Sequence, residues 1–105
     1  MIQARTRVYL YKDPCDMRKG IIGLSGLVRN VMKQDPLSGH CFCFINKNRN
    51  HIKILYWDIT GYCLWSKKLT KGTYQKIVNL ELSPVELLLE LESESRAKRY
   101  KLIPG

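Results

Sequence analysis

Apolar positions along the chain follow two periods. Between Arg7 and Tyr11 they alternate, with Val8 and Leu10 facing one way and Tyr9 and Tyr11 the other, the pattern of a strand. Asp13-Pro14 ends it, because proline biases the residue before it toward extended or turn geometry and cannot donate to a ladder. From about Met17 to Lys33 the period lengthens. Met17, Ile21, Leu24, Val28 and Val31 fall within about 80° of one another at helical spacing, which predicts a core-facing helix with Asp16 as its N-cap. Arg18, Lys19, Arg29 and Lys33 form the back of that helix, with Ile22 in their midst. Gly20, Gly23 and Gly26 lie off the apolar stripe, and each costs about 1 kcal/mol relative to Ala in a helix interior. A close neighbour is expected there, a packed strand or loop in preference to a phosphate backbone.

Asp35-Pro36-Leu37-Ser38-Gly39 reads as a turn into the apolar run from His40 to Ile45, which suits a buried central strand. The loop Asn46 to Asn50 leads to a strand from His51 to Trp57. Asp58-Ile59-Thr60-Gly61 then predicts a hairpin turn, where Asp can bond its own backbone and Gly can take positive φ, and a partner strand from Tyr62 to about Leu69. If Trp57 pairs with Tyr62, Leu55 meets Leu64 and Lys53 meets Ser66 on one face, while Ile54 meets Trp65 and Ile52 meets Lys67 on the other. Thr70-Lys71-Gly72 is a turn, and Tyr74 to Leu82 a further edge strand. Ser83, Pro84 and Glu86 supply the N-cap, first position and capping box of a second helix carrying Leu87, Leu88, Leu89 and Leu91. A basic tail follows from about residue 96. The order β-α-β-β-β-β-α predicts a single α+β domain over residues 1–105, with a mainly antiparallel sheet of four to five strands and two helices on one side.

Charge sharpens this outline. The net charge is +9, and residues 1–80 hold fourteen Lys or Arg against four Asp, while residues 81–105 hold four against five Glu. A basic body of this kind raises the local concentration of polyanions, which makes nucleic acid the leading partner class over simple solubility. Arg18, Lys19, Arg29, Lys47, Arg49, Lys53, Lys67 and Lys68 are the candidate phosphate contacts, since neither turn nor helix geometry requires their charge. Tyr and Trp can stack on unpaired bases. Trp57 and Trp65 nevertheless read first as core or interface residues.

Catalytic chemistry finds little support. Cutting and joining DNA needs carboxylates clustered around metal ions. Asp13, Asp16, Asp35 and Asp58 each have a local role at a proline, a cap or a turn, so a small metal-dependent nuclease is the weakest reading. There is no Gly-x-Ser-x-Gly elbow, phosphate-binding glycine loop or cofactor motif. Cys15, Cys41, Cys43 and Cys63 lack Cys-x-x-Cys spacing and are expected to be reduced, buried hydrophobes. A zinc site drawing on Cys41, Cys43, Cys63, His40 and His51 stays open as an alternative. No apolar run approaches a membrane span and no leader pattern begins the chain, so a cytoplasmic location is expected.

Three motifs then fall in register with a known family. Asp16-Met17-Arg18-Lys19-Gly20 with Gly23-Leu24, Asp35-Pro36-Leu37-Ser38-Gly39 with Phe42 and Phe44, and Ile52-Lys53-Ile54-Leu55-Tyr56-Trp57-Asp58 with Gly61, Leu64, Trp65, Lys67, Lys68, Leu69 and Gly72 resemble the TnpB-type accessory proteins of the insertion-sequence-sixty-six group of bacterial transposons. The likeness spans nearly the whole chain. It departs at Ile45-Asn46-Lys47, where the family commonly carries an Arg-rich strand end, at Ser66-Lys67-Lys68-Leu69-Thr70 and after Gly72, where Trp-Pro is usual. The resemblance implies a non-enzymatic accessory protein of DNA transposition, acting beside a separate transposase and a second accessory protein, with no catalytic residue to carry over. Direct DNA binding is the first expectation. An adaptor docking on the transposase through the aromatic hairpin is the second, and self-association is left open.

Overall fold

The structure, a computed structural model, describes residues 6–74 and 81–82. Its elements are β1 (Val8–Leu10), α1 (Ile21–Asn30), β2 (Cys41–Ile45), β3 (His51–Asp58), β4 (Gly61–Lys68) and the two-residue β5 (Glu81–Leu82). They form an α+β arrangement with one sheet in the order β4-β3-β2-β1-β5. β1 and β2 run parallel, because the chain between them crosses over through α1; the other described pairings are antiparallel. The sheet is therefore mixed rather than purely antiparallel. Most of the strand expected over residues 74–82, the second helix from Ser83 and the basic tail lie outside the described residues.

Each face of the sheet has its own apolar layer. Phe42, Phe44 and Leu55 pack with Leu24 and Val28 of α1 and with Cys15, and Tyr9 stacks on Phe42 at 5.6 Å between ring centroids. On the opposite face Val8, Leu10, Cys41, Cys43, Ile52 and Ile54 cluster with Leu69 and Tyr74. β2 is apolar on both faces because it lies third in the sheet with layers on both sides, which is why its sequence runs without alternation.

The helix is shorter than its periodicity predicts. Asp16 does not cap it: the Asp16 carboxylate accepts the Arg18 backbone N–H at 2.9 Å and its carbonyl accepts that of Lys19 at 3.1 Å, closing a separate turn. Helical geometry starts only after Gly20, which sits extended in the N-cap position without a side-chain bond. The buried stripe shrinks accordingly to Leu24, Ser25 and Val28, while Ile21 and Val31 are exposed and Ile22 is 89% exposed. The close neighbour expected at the glycines is absent among the described residues. A Cβ at Gly20 or Gly26 would meet nothing within 4 Å, and one at Gly23 would meet only the Lys19 side chain, at 3.3 Å.

The β3–β4 hairpin adopts the expected register throughout, from Trp57 opposite Tyr62 to Ile52 opposite Lys67. The Trp57 and Tyr62 rings meet edge to face at 5.1 Å. Its turn differs in one respect. Positive φ falls on Ile59, at 45°, and not on Gly61, and the Thr60 N–H donates to the Asp58 carbonyl. A β-branched residue in that region is strained by roughly 1–2 kcal/mol, and the Ile59 side chain is 87% exposed, so no packing offsets the strain. Ile59→Asn should therefore raise stability by about 1 kcal/mol in urea unfolding, since Asn tolerates positive φ. A destabilised variant would show that the side chain is held by contacts this geometry lacks.

Candidate nucleic-acid interface

One end of the sheet gathers most of the nominated cations. There β2 finishes, β3 begins and β4 finishes, so His51 faces Lys68 and Ile52 faces Lys67. The Cys15 N–H donates to the Ile45 carbonyl at 2.9 Å, which brings the segment carrying Arg18 and Lys19 to the same end. The 46–50 loop caps it with Lys47 and Arg49. Two backbone bonds, Leu69 to Asn50 at 2.7 Å and Tyr74 to Arg49 at 2.6 Å, fold the next loop against it and add exposed Lys71.

Asn46 is the hub of this end. Its side-chain oxygen accepts the backbone N–H groups of Asn50 and His51, both at 3.0 Å, and its amide donates to the Asn50 side chain at 2.7 Å. Asn46→Ala removes all three bonds and leaves two N–H groups to partial solvation. A loss of about 2 kcal/mol in chemical denaturation is expected; a change below about 0.5 kcal/mol would mean that water replaces the side chain without cost. Arg49 holds the left-handed position of the loop at φ 54° although asparagines flank it on both sides. A residue kept in a costly conformation where cheaper neighbours stand points to its side chain as the reason it is there.

The eight nominated cations separate into four groups. Lys19, Lys47 and Lys68 are exposed at this end, with Lys67 and Arg49 half-buried beside them. Arg18 is there too, but its guanidinium grips Asp16 through Nη2 at 2.7 Å and Nε at 3.1 Å; those bonds hold the Asp16 carboxyl down at about 2, so the pair stays ionised and mutually neutralised. Lys53 donates to the Met17 carbonyl at 2.7 Å and the Lys19 carbonyl at 3.1 Å, so its ammonium fastens the loop before α1 onto β3. Arg29 stands apart in the last turn of α1. Just beyond it Val31, Met32 and Gln34 line a cavity of about 330 Å³ with Tyr9 to Lys12.

Sequence reasoning passed over two members of the site. His51 Nε2 and the Ser66 hydroxyl share a 2.7 Å hydrogen bond, and desolvation together with Lys53 and Lys68 pushes the His51 pKa below the usual histidine value. Lys71 read only as part of a turn. The signal for His51 was available in the hairpin register, which sets it opposite Lys68; the placement of Lys71 depends on bonds between distant loops.

Metal chemistry has no geometric support among the described residues, where no three His, Cys, Asp or Glu side chains converge. Cys41 and Cys43 lie on the face of β2 away from α1, with Cys63 paired to Tyr56, whereas His51 alternates onto the other face with Lys53 and Leu55 and His40 packs its ring on Tyr9. Burial pushes the Cys41 thiol up to about 11 and raises that of Cys43 further, so both stay protonated. Asp58 sits five residues along β3 from Lys53, roughly 16 Å, far from Asp16 at the cationic end. Among the described residues, the carboxylates that a nuclease would need are not brought together.

Mixed-sheet topology and a cationic sheet end define a small basic α+β protein. The chain belongs to the IS66 Orf2-like family, whose model, described as IS66 Orf2 like protein, matches residues 6–93. It is similar to two uncharacterized proteins of Sinorhizobium fredii (strain NBRC 101917 / NGR234). y4jC is 33% identical over 87 residues, covering 79% of this chain and 74% of that protein. y4hO is 34% identical over 68 residues, covering 65% of this chain and 59% of that protein. No solved structure matches the chain. The family is an accessory rather than a catalytic one, and membership supports an accessory role in transposition. No helix among the described residues is long and apolar enough to cross a membrane.

Proposed function

We propose that this protein is a non-enzymatic accessory factor of transposition that binds DNA through the cationic end of its sheet, in support of the separate transposase and second accessory protein of its element. One observation carries the reading: Lys19, Lys47, Arg49, Lys67, Lys68 and Lys71, drawn from three separate stretches of chain, stand on backbone gathered at the sheet end where β2 finishes, β3 begins and β4 finishes. The contact is electrostatic and largely independent of sequence. Six neutralised phosphates correspond to a slope of about −5 in a plot of log affinity against log salt. Gel-shift titration of the element's end sequences at several salt concentrations tests it, and an affinity that does not fall as salt rises overturns it.

The second reading is a protein adaptor that docks on the transposase through the aromatic hairpin. Ile59, exposed and strained at the tip of that hairpin, is the observation in its favour. Retarded DNA only when transposase is also present supports the adaptor; retardation by this protein alone supports direct binding.

A further inference from the structure

β4 closes one side of the sheet, and among the described residues nothing pairs along its outer edge. Such an edge presents a row of N–H and C=O groups that only another extended strand can satisfy in full. Edges are ordinarily blunted by shortness, proline, a bulge or charge. β4 is eight residues long, contains no proline and pairs with β3 residue for residue from Gly61 to Lys68, so no bulge turns it away. Its charge is confined to Lys67 and Lys68 at one end. Along the middle, Tyr62 and Leu64 on one face and Cys63 and Trp65 on the other remain half-buried or exposed, with Trp65 at 39%.

We propose that a second copy of this chain pairs its β4 antiparallel along this edge, around a two-fold axis near Leu64, so that one sheet runs through both copies. Charge selects the antiparallel two-fold arrangement. It sets Leu64 against Leu64 and Cys63 against Trp65, with Tyr62 opposite Ser66. It also places Lys67 and Lys68 of each copy beside the uncharged Gly61 end of the other. The two lysine pairs are then about 24 Å apart along the strands, beyond the Debye length of about 10 Å at 0.1 M salt. A parallel arrangement would stack them. The dimer carries one cationic end at each extremity of the β4–β4 ribbon, so it offers two DNA-binding surfaces where the monomer offers one, and the pairing stands independently of whether those surfaces bind DNA.

Light scattering on the full chain tests the pairing: the mass should rise from 12.3 kDa toward twice that value as concentration increases. Amide exchange followed by NMR should show alternate β4 amides, those not bonded to β3, slowing at least tenfold over the same range. Trp65→Lys and Leu64→Lys, each checked for an unchanged circular dichroism spectrum, should hold the mass at one chain. A one-chain mass at every concentration overturns the proposal. So does a dimer whose protection change falls outside β4, or protection of β4 that appears only when transposase is added.

Discussion

Replacing Lys47, Arg49, Lys67 and Lys68 together by Gln is expected to weaken DNA binding about a thousandfold at 0.1 M salt and to reduce the salt slope by about 3 to 4. Each phosphate neutralised by a cation releases about 0.9 counterion, and at that salt each release is worth close to a factor of ten. Arg18→Gln should leave the slope unchanged, because Asp16 already holds that guanidinium in a bidentate pair. Arg29→Gln should do the same, since Arg29 sits in the last turn of α1 and not at the sheet end. Lys53→Gln should mainly loosen the loop before α1, which loses a cation bonded to two of its carbonyls. Fluorescence anisotropy on one duplex across a salt series measures all four variants. An equal loss for every one would show that net charge alone, and not the cationic end, holds the DNA.

Phe42→Ala is expected to cost about 3–5 kcal/mol, measured from urea midpoints at constant slope. Phe42 is fully buried between α1 and the sheet, with Tyr9 stacked on it, and truncation leaves a cavity that the paired strands on both sides cannot close. Against a typical total of 5–15 kcal/mol this removes a large share of the stability. Ile22→Ala, by contrast, should stay within about 0.5 kcal/mol, because that side chain is 89% exposed. A cost for Phe42→Ala below about 1 kcal/mol would mean that the α1 layer is not the core it is drawn to be.

These two residues show where periodicity succeeds and where it stops. The run Cys41 to Ile45 announces a strand buried on both faces, and it is one. The stripe from Met17 to Val31 announces a longer helix than the one that forms. Periodicity records which side chains prefer burial, but Asp16 spends its carboxylate on the turn at Arg18, and α1 begins only at Ile21. The hairpin is the opposite case: the register follows from one pairing, Trp57 with Tyr62, and two-residue alternation propagates it to Lys68. The turn residue in strained geometry was not legible, because Asp, Gly and Thr beside Ile59 all make plausible turns and the choice belongs to the closed ribbon.

By itself the sequence determined an α+β chain, the pairing of its longest hairpin, an excess of positive charge and membership of a transposon accessory family. Each follows from local chemistry: alternation, turn composition, residue counts and motifs in order. Tertiary structure alone decided that β1 and β2 run parallel, that Lys53 serves the fold, and that Lys71 joins the cationic end. Those facts depend on contacts between residues far apart in the chain, and no local pattern encodes which distant carbonyl an ammonium will meet.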